Sequence, residues 1–196
     1  MYKYISLTVA LLLGLVNAVD HWAVLVAGSS GFDNYRHQAD ICHSYRILKK
    51  NGIPESNIIV MSYDDAASNY WNPIPNTLFN KPDGVDVNAG CNIDYKGVDV
   101  TPENFIAILK GDKAGVKGGN GKVLQSTAES KVFINFADHG APGLIAFPST
   151  YLYSQYLYAN DLNKTITYMH ENKMYQEMVL YIEACESGSM FEGILS

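Results

Sequence analysis

Cysteine is scarce in this sequence: Cys42, Cys91 and Cys185 are the only three in 196 residues. A disulfide scaffold would use more, their spacing is not that of a metal site, and an odd count leaves at least one thiol free. Clusters of Lys and Arg are missing too. Fourteen basic residues against 20 acidic ones give a net charge of −6, which is unsuited to neutralising phosphates and sets nucleic acid aside as a partner. No glycine-rich segment has the spacing or the Lys-Ser/Thr ending of a phosphate cradle, and Gly115 to Gly121 reads as a flexible surface turn. Long apolar runs are confined to the start of the chain. There Ile5 to Val16 follows Lys3 and precedes Val16-Asn17-Ala18, too short to span a bilayer comfortably and ending in the small residues that signal peptidase cuts after. Residues 1–18 are therefore expected to be a signal peptide, and residues 19–196 a single folded unit in the secretory pathway, with no membrane attachment once the signal is removed.

What remains alternates strand and helix. His21 to Ala27 is a continuous apolar strand ending in Gly28-Ser29-Ser30-Gly31. Tyr35 to Lys50 reads as a helix with Ile41, Tyr45 and Leu48 on one face and Asn51-Gly52 as its stop. Asn57 to Tyr63 is a second strand, followed by Asp64-Asp65 and a long irregular stretch to Val100 with room for one small hairpin. Thr101-Pro102-Glu103 opens a helix with a capping hydroxyl and a proline in the first turn. Lys131 to Phe136 is a third strand, Asp161 to Lys173 a helix, and Val179 to Ile182 a fourth strand. Between them lies Tyr151 to Tyr158, rich in tyrosine, which is either an edge strand or packed loop, the plainer reading, or an aromatic wall for a peptide. Asn163-Lys164-Thr165 is a glycosylation acceptor for a secreted chain. The pattern is that of an α/β fold with a mainly parallel sheet, whose right-handed crossovers bring all strand carboxyl ends to one rim.

Two of those ends carry chemistry. One strand delivers Glu183-Ala184-Cys185-Glu186 into a small-residue turn at the start of a following helix, a setting that favours a thiolate. Another delivers Asp138-His139-Gly140. Cys185 can attack a carbonyl carbon, His139 can take or relay the proton, and the backbone N–H groups of Cys185 and Gly140 can hold the developing oxyanion. The bland readings are a buried apolar cysteine, a structural histidine, an Arg36–Glu183 ion pair tying strand tips together, and Asn34 as a simple helix cap. Cys42 reads as a core residue on the buried side of its helix, and Cys91 has no assigned part.

Asn34-Tyr35-Arg36-His37-Gln38-Ala39-Asp40, Asp138-His139-Gly140 and Glu183-Ala184-Cys185-Glu186-Ser187-Gly188-Ser189 resemble the legumains, the asparaginyl endopeptidases also called haemoglobinases. The likeness runs from His21 to the last residue. The related catalytic subunits of GPI transamidase differ at the cysteine segment, and a transamidase of that kind is an alternative reading. The resemblance implies a caspase-like three-layer α/β fold, here about four of six core strands, with two further strands and the rest of the pocket expected beyond residue 196. It implies Cys185 as nucleophile, His139 as general base or acid and Asn34 as the residue that positions it. Arg36, His37 and Glu183 would line the pocket for the substrate's asparagine, whose carboxamide carries donors and an acceptor that a carboxylate and a cation can both satisfy. Asp138 matches a position able to cyclise to a succinimide. Polypeptide substrates, cystatin-type inhibitors and an acidic lysosome- or vacuole-like compartment or digestive lumen follow from the same likeness, and no metal or organic cofactor is implied. A catalytically inert fragment that binds peptides is the alternative from another class.

Overall fold

The computed structural model describes residues 20–149 and 153–193; the expected signal peptide at 1–18 and Tyr151 lie outside them. In chain order the strands are β1 (His21–Ala27), β2 (Ile58–Ser62), β3 (Tyr95–Lys96), β4 (Lys131–Ala137), β5 (Gly140–Ala141), β6 (Leu144–Phe147), β7 (Gln155–Tyr158) and β8 (Glu177–Glu183). The helices are α1 (Tyr35–Lys50), α2 (Pro102–Leu109) and α3 (Ala159–Glu171). A five-stranded sheet runs in the order β3-β2-β1-β4-β8, and every pairing in it is parallel. A second, antiparallel sheet has the order β5-β6-β7.

The central strands are apolar throughout because both their faces are covered. Val24 and Val26 of β1, with Ile59 and Met61 of β2, pack on Phe105, Ile108 and Leu109 of α2 and on Leu162 and Met169 of α3. The alternate residues Ala23, Leu25 and Ala27, with Ile58 and Val60, face Ile41 and Tyr45 of α1. One helix on one face and two on the other make the three layers expected of a caspase-like arrangement. Among the described residues no helix is long and apolar enough to cross a membrane.

Local signals act where they were expected. Thr101 Oγ1 accepts from the Asn104 N–H at 3.1 Å and caps α2, and α1 stops at Gly52, whose φ of 89° suits glycine. The possible hairpin of the long irregular stretch is one antiparallel bridge, Phe79 to Asp86. Gln155 to Tyr158 is the edge strand β7, with Leu157 buried and Tyr156 and Tyr158 exposed.

Four readings need correction. A fifth strand, β3, joins the four expected: Tyr95 is fully buried, and Asp94 accepts the Val60 N–H. Cys42 is not merely a core residue, because it forms a disulfide with Cys91, 49 residues away. In the chain-entropy view a closed loop of that length stabilises the fold by about 4 kcal/mol, and here it staples the long irregular segment to α1. Gly115 to Gly121 is pinned rather than flexible: Asn104 bonds both the N–H and the carbonyl of Lys117, and Asp99 and Asp94 hold Gly119 and Asn120. Finally, Cys185 leads into a five-residue 3-10 turn, Ser187–Phe191, not a long helix, so no substantial helix dipole acts on it.

Candidate active site

Strand register brings the two chemical groups to adjacent strand ends. Ala137 at the end of β4 pairs with Glu183 at the end of β8, and the Asp138 N–H donates to the Glu183 carbonyl at 3.0 Å, extending the pairing one step past the strands. His139 and Cys185 each lie two residues beyond that matched pair. Neighbouring strands are about 4.8 Å apart, so the two side chains leave adjacent strand tips at the same level of the rim. Both are exposed. With Cys42 and Cys91 joined to each other, Cys185 is the free thiol.

Glycine is needed where these tips touch. A Cβ on Gly140 would come within 2.5 Å of the Cys185 carbonyl oxygen and 3.1 Å of the Ala184 Cβ. The turn after Gly140 is tied to the cysteine loop as well: the Gly143 N–H donates to Ser189 Oγ at 2.8 Å, and the Ala146 N–H to the His139 carbonyl at 2.9 Å. Directly after the thiol, Glu186 holds a left-handed φ of 55°. A non-glycine residue there stores about 1–2 kcal/mol, which the surrounding bonds sustain and which turns the chain sharply away behind Cys185.

Asn34 stands at the first boundary of α1, but its side chain makes no capping bond. Its Nδ2 donates to the Ser30 carbonyl at 2.9 Å, which leaves Oδ1 to face His139 Nε2 at 2.7 Å. An amide oxygen can only accept, so Nε2 carries the ring proton and Nδ1 presents its lone pair. That is the tautomer a base requires. The simple-cap reading of Asn34 therefore fails on geometry, since the side chain serves the histidine and not the helix. The loop bearing Asn34 is itself fixed by Asp65, which accepts from the Gly31 N–H at 2.8 Å and from Gln38 Nε2 at 2.6 Å. Asp65 has no role legible in sequence; only the pairing of β1 with β2 brings it beneath that loop.

Arg36 and Glu183 are both exposed, and no salt bridge joins them among the described residues. The plain ion pair is thus not what holds the strand tips. Both residues act on Asp40, which accepts from Asn80 and whose carboxyl is raised by burial and by Glu183, while Asn80, Arg36 and His43 pull it back. Sequence reasoning passed over Asp40 because one acid inside an amphipathic helix carries no signal of its own.

His37 departs from expectation. The family resemblance places it in the substrate pocket beside Arg36, yet it is 1% exposed. Adjacent helix positions point about 100° apart, so exposure of Arg36 turns His37 inward. Its Nδ1 lies 2.6 Å from Ser29 Oγ and 3.5 Å from Asp138 Oδ1, and its ring stacks edge-on against His139 at 5.1 Å. Burial, then the charges of Arg36 and His139, lower its pKa to about 4. Asp138 moves the other way. Its side chain is 1% exposed, and desolvation raises it to about 7 against the opposing pull of the His139 N–H and Arg36. Gly28 lies under that carboxyl so tightly that a Cβ would be 2.8 Å from Asp138 Oδ2. A cavity of about 260 Å³ opens onto Gly28, Ser29, Asn34, Asp138 and His139. A larger one of about 630 Å³, against α2 and the exposed Tyr156 and Tyr158, contains neither Cys185 nor His139.

A cysteine and a tautomerically fixed histidine on matched strand tips now have a family to set them in. A model of the Peptidase C13 family matches residues 21–196. The chain belongs to that family. Among similar proteins, the legumain of Rattus norvegicus is 58% identical over 171 residues, covering 87% of this chain and 38% of its own length. The vacuolar-processing enzyme beta-isozyme of Arabidopsis thaliana is 54% identical over 174 residues, covering 89% and 35%. The legumain of Homo sapiens is 52% identical over 193 residues, covering 95% and 43%. This C13 chain therefore spans about two fifths of the length of the curated relatives it matches.

Proposed function

We propose that this chain carries the nucleophile, the base and part of the specificity pocket of a cysteine endopeptidase that cleaves on the carboxyl side of asparagine. The observation that carries the reading is the Asn34–His139 bond, with the Asn34 amide oriented by Ser30, at the same rim level as the free thiol of Cys185. Nδ1 of His139 accepts the thiol proton. Cys185 then attacks the carbonyl carbon, and the N–H groups of Cys185 and Gly140 take the charge that develops on oxygen. The protonated imidazole gives its proton to the departing amine, leaving an acyl-enzyme that water hydrolyses by the same route reversed.

Arg36 donates to the oxygen of the substrate's carboxamide, and Glu183 accepts from its NH₂. His37 acts from beneath, packed on His139, and not as a pocket wall. An aspartate substrate presents the same donor and acceptor only when protonated, so acid conditions admit it. Asp138 is the proposed site of succinimide formation: the backbone nitrogen of His139 attacks the Asp138 carboxyl carbon and water leaves, which the protonated carboxyl favours. The names of the relatives, legumain and vacuolar-processing enzyme, support a lysosome- or vacuole-like compartment, and polypeptides are the substrates, with cystatin-type inhibitors as proposed partners. A glycan on Asn163 would require modification before α3 forms, because Thr165 of the acceptor is buried there and its hydroxyl bonds the Asp161 carbonyl. The transamidase alternative is disfavoured by the Glu-Ala-Cys-Glu-Ser segment at Cys185.

The test is a set of peptides identical except for Asn, Asp, Gln or Ala before the scissile bond. They are to be presented to this chain, and to any longer product of its reading frame, at about pH 5.5 and 7. Cleavage after asparagine at both pH values and after aspartate only at the lower is expected. Equal turnover of the alanine peptide contradicts the specificity, and binding of the asparagine peptide without turnover by every product favours the inert alternative.

A further inference from the structure

The buried carboxyl beside the base is poorly explained by peptide cleavage alone. Among the described residues neither oxygen of Asp138 has a well-formed hydrogen bond, and only the adjacent His139 N–H pulls on the carboxyl, although the side chain is 1% exposed. Such a group is costly unless something satisfies it. Two imidazoles surround it, and one ligand atom from each of His37, Asp138 and His139 falls within 4.8 Å of the others. His37 Nδ1 and Asp138 Oδ1 are 3.5 Å apart, close to the roughly 3.3 Å that separates two ligands on a tetrahedral ion with bonds of about 2.0–2.1 Å. The cavity of about 260 Å³ that opens onto Asp138 and His139 gives an ion a way in.

The geometry points to a binding site for a divalent transition metal, Zn²⁺ above all, formed by His37, Asp138 and His139, that switches the catalytic histidine off. Two nitrogens and one carboxylate oxygen suit Zn²⁺ or Co²⁺; Ca²⁺ and Mg²⁺ prefer oxygen alone. Three protein ligands leave a fourth position for water or for the thiolate of Cys185. Asn34 already holds Nε2 of His139, so a metal on Nδ1 leaves that bond intact as the outer partner that orients the ring. At His37 the ion displaces only Ser29 Oγ from Nδ1. An occupied Nδ1 cannot accept the proton of Cys185, and the site is silent until the metal is removed. Binding is independent of the proposed peptidase activity; the inhibition rests on that reading.

Calorimetric titration of Zn²⁺ and the visible absorption of Co²⁺ test the binding on a Cys185→Ser variant, which removes the thiol as a ligand and silences turnover. One ion per chain is expected. Asp138→Asn and the exposed-site change His139→Gln should each weaken it by at least about tenfold, with unchanged far-UV circular dichroism. His37→Ala should do the same, and if that variant does not fold, the other two decide. Absence of saturable binding overturns the site, as does binding that is indifferent to Asp138→Asn and His139→Gln. In the active wild-type protein Zn²⁺ should abolish cleavage of the asparagine peptide and a chelator should restore it. Binding without inhibition removes the switch and leaves the site, whereas a protein that never cleaves still answers the binding question.

Discussion

Replacing His139 with alanine is expected to slow acylation of Cys185 about 10³-fold and to change the pH dependence of what remains. In the intact site the Asn34 oxygen fixes the proton on Nε2, so Nδ1 is ready to accept as the thiol approaches the substrate. Without the ring a thiolate forms only by spontaneous ionisation, and the residual rate should climb steadily toward alkaline pH. An Asn34→Ala variant keeps the ring but not its orientation, and should fall between the two, with the wild-type shape of profile. Stopped-time labelling by an asparagine-directed electrophile across the pH range measures both. A His139→Ala rate within a few-fold of wild type, or with an unchanged profile, removes the histidine from the chemistry.

The second large effect concerns stability. At pH values between about 4 and 6.5 the folded protein keeps His37 neutral and Asp138 protonated, since their pKa values are about 4 and about 7. The unfolded chain has the reverse, a charged imidazole and an ionised carboxylate, because there the two groups titrate near 6.5 and 3.8. Each state holds one proton, so the pair adds almost no slope to stability in that window. Taken singly they oppose each other. The depressed histidine contributes stability above 6.5 that is lost as pH falls toward 4; the raised aspartate contributes stability at low pH that is lost as pH rises through about 7. Asp138→Asn leaves only the histidine. Relative to wild type, the variant should lose about 2–3 kcal/mol between pH 6.5 and 4.5, on the order of one proton taken up on unfolding over two pH units. Urea unfolding of both proteins at the two pH values measures it, and parallel changes would show that the pair does not exchange a proton in this way.

Much of the frame was legible because it rests on local rules. Continuous apolar runs marked β1 and β2, Thr101-Pro102 marked the start of α2, and an apolar face ending in Asn51-Gly52 gave α1 its bounds. That His139 and Cys185 follow neighbouring strands of one rim was legible for the same reason: both lie just past apolar runs of a parallel sheet. The misses lie where two distant segments must be known together. Cys42 and Cys91 are 49 residues apart and bond only because the long loop folds back on α1, which spacing cannot reveal. Tyr95–Lys96 is too short to carry a period and becomes a strand by lying against β2. Asn34 is a different case: its position alone suggests a cap, the family resemblance links it to His139, and the 2.7 Å bond agrees with the resemblance. For His37 a motif suggested a pocket wall, whereas helix geometry beside the exposed Arg36 set it inward.

Everything proposed for the chemistry depends on the free thiol of Cys185 being the nucleophile of an asparagine-directed site. That assignment is tested most directly by mapping, by peptide mass spectrometry, where an asparaginyl electrophile attaches at about pH 5.5, a value chosen between carboxyl and imidazole titration. One adduct per chain is expected, on Cys185, abolished in Cys185→Ala and unaffected by an alanine-directed competitor. An adduct on Cys42 or Cys91, or equal labelling of the Cys185→Ala protein, would contradict it.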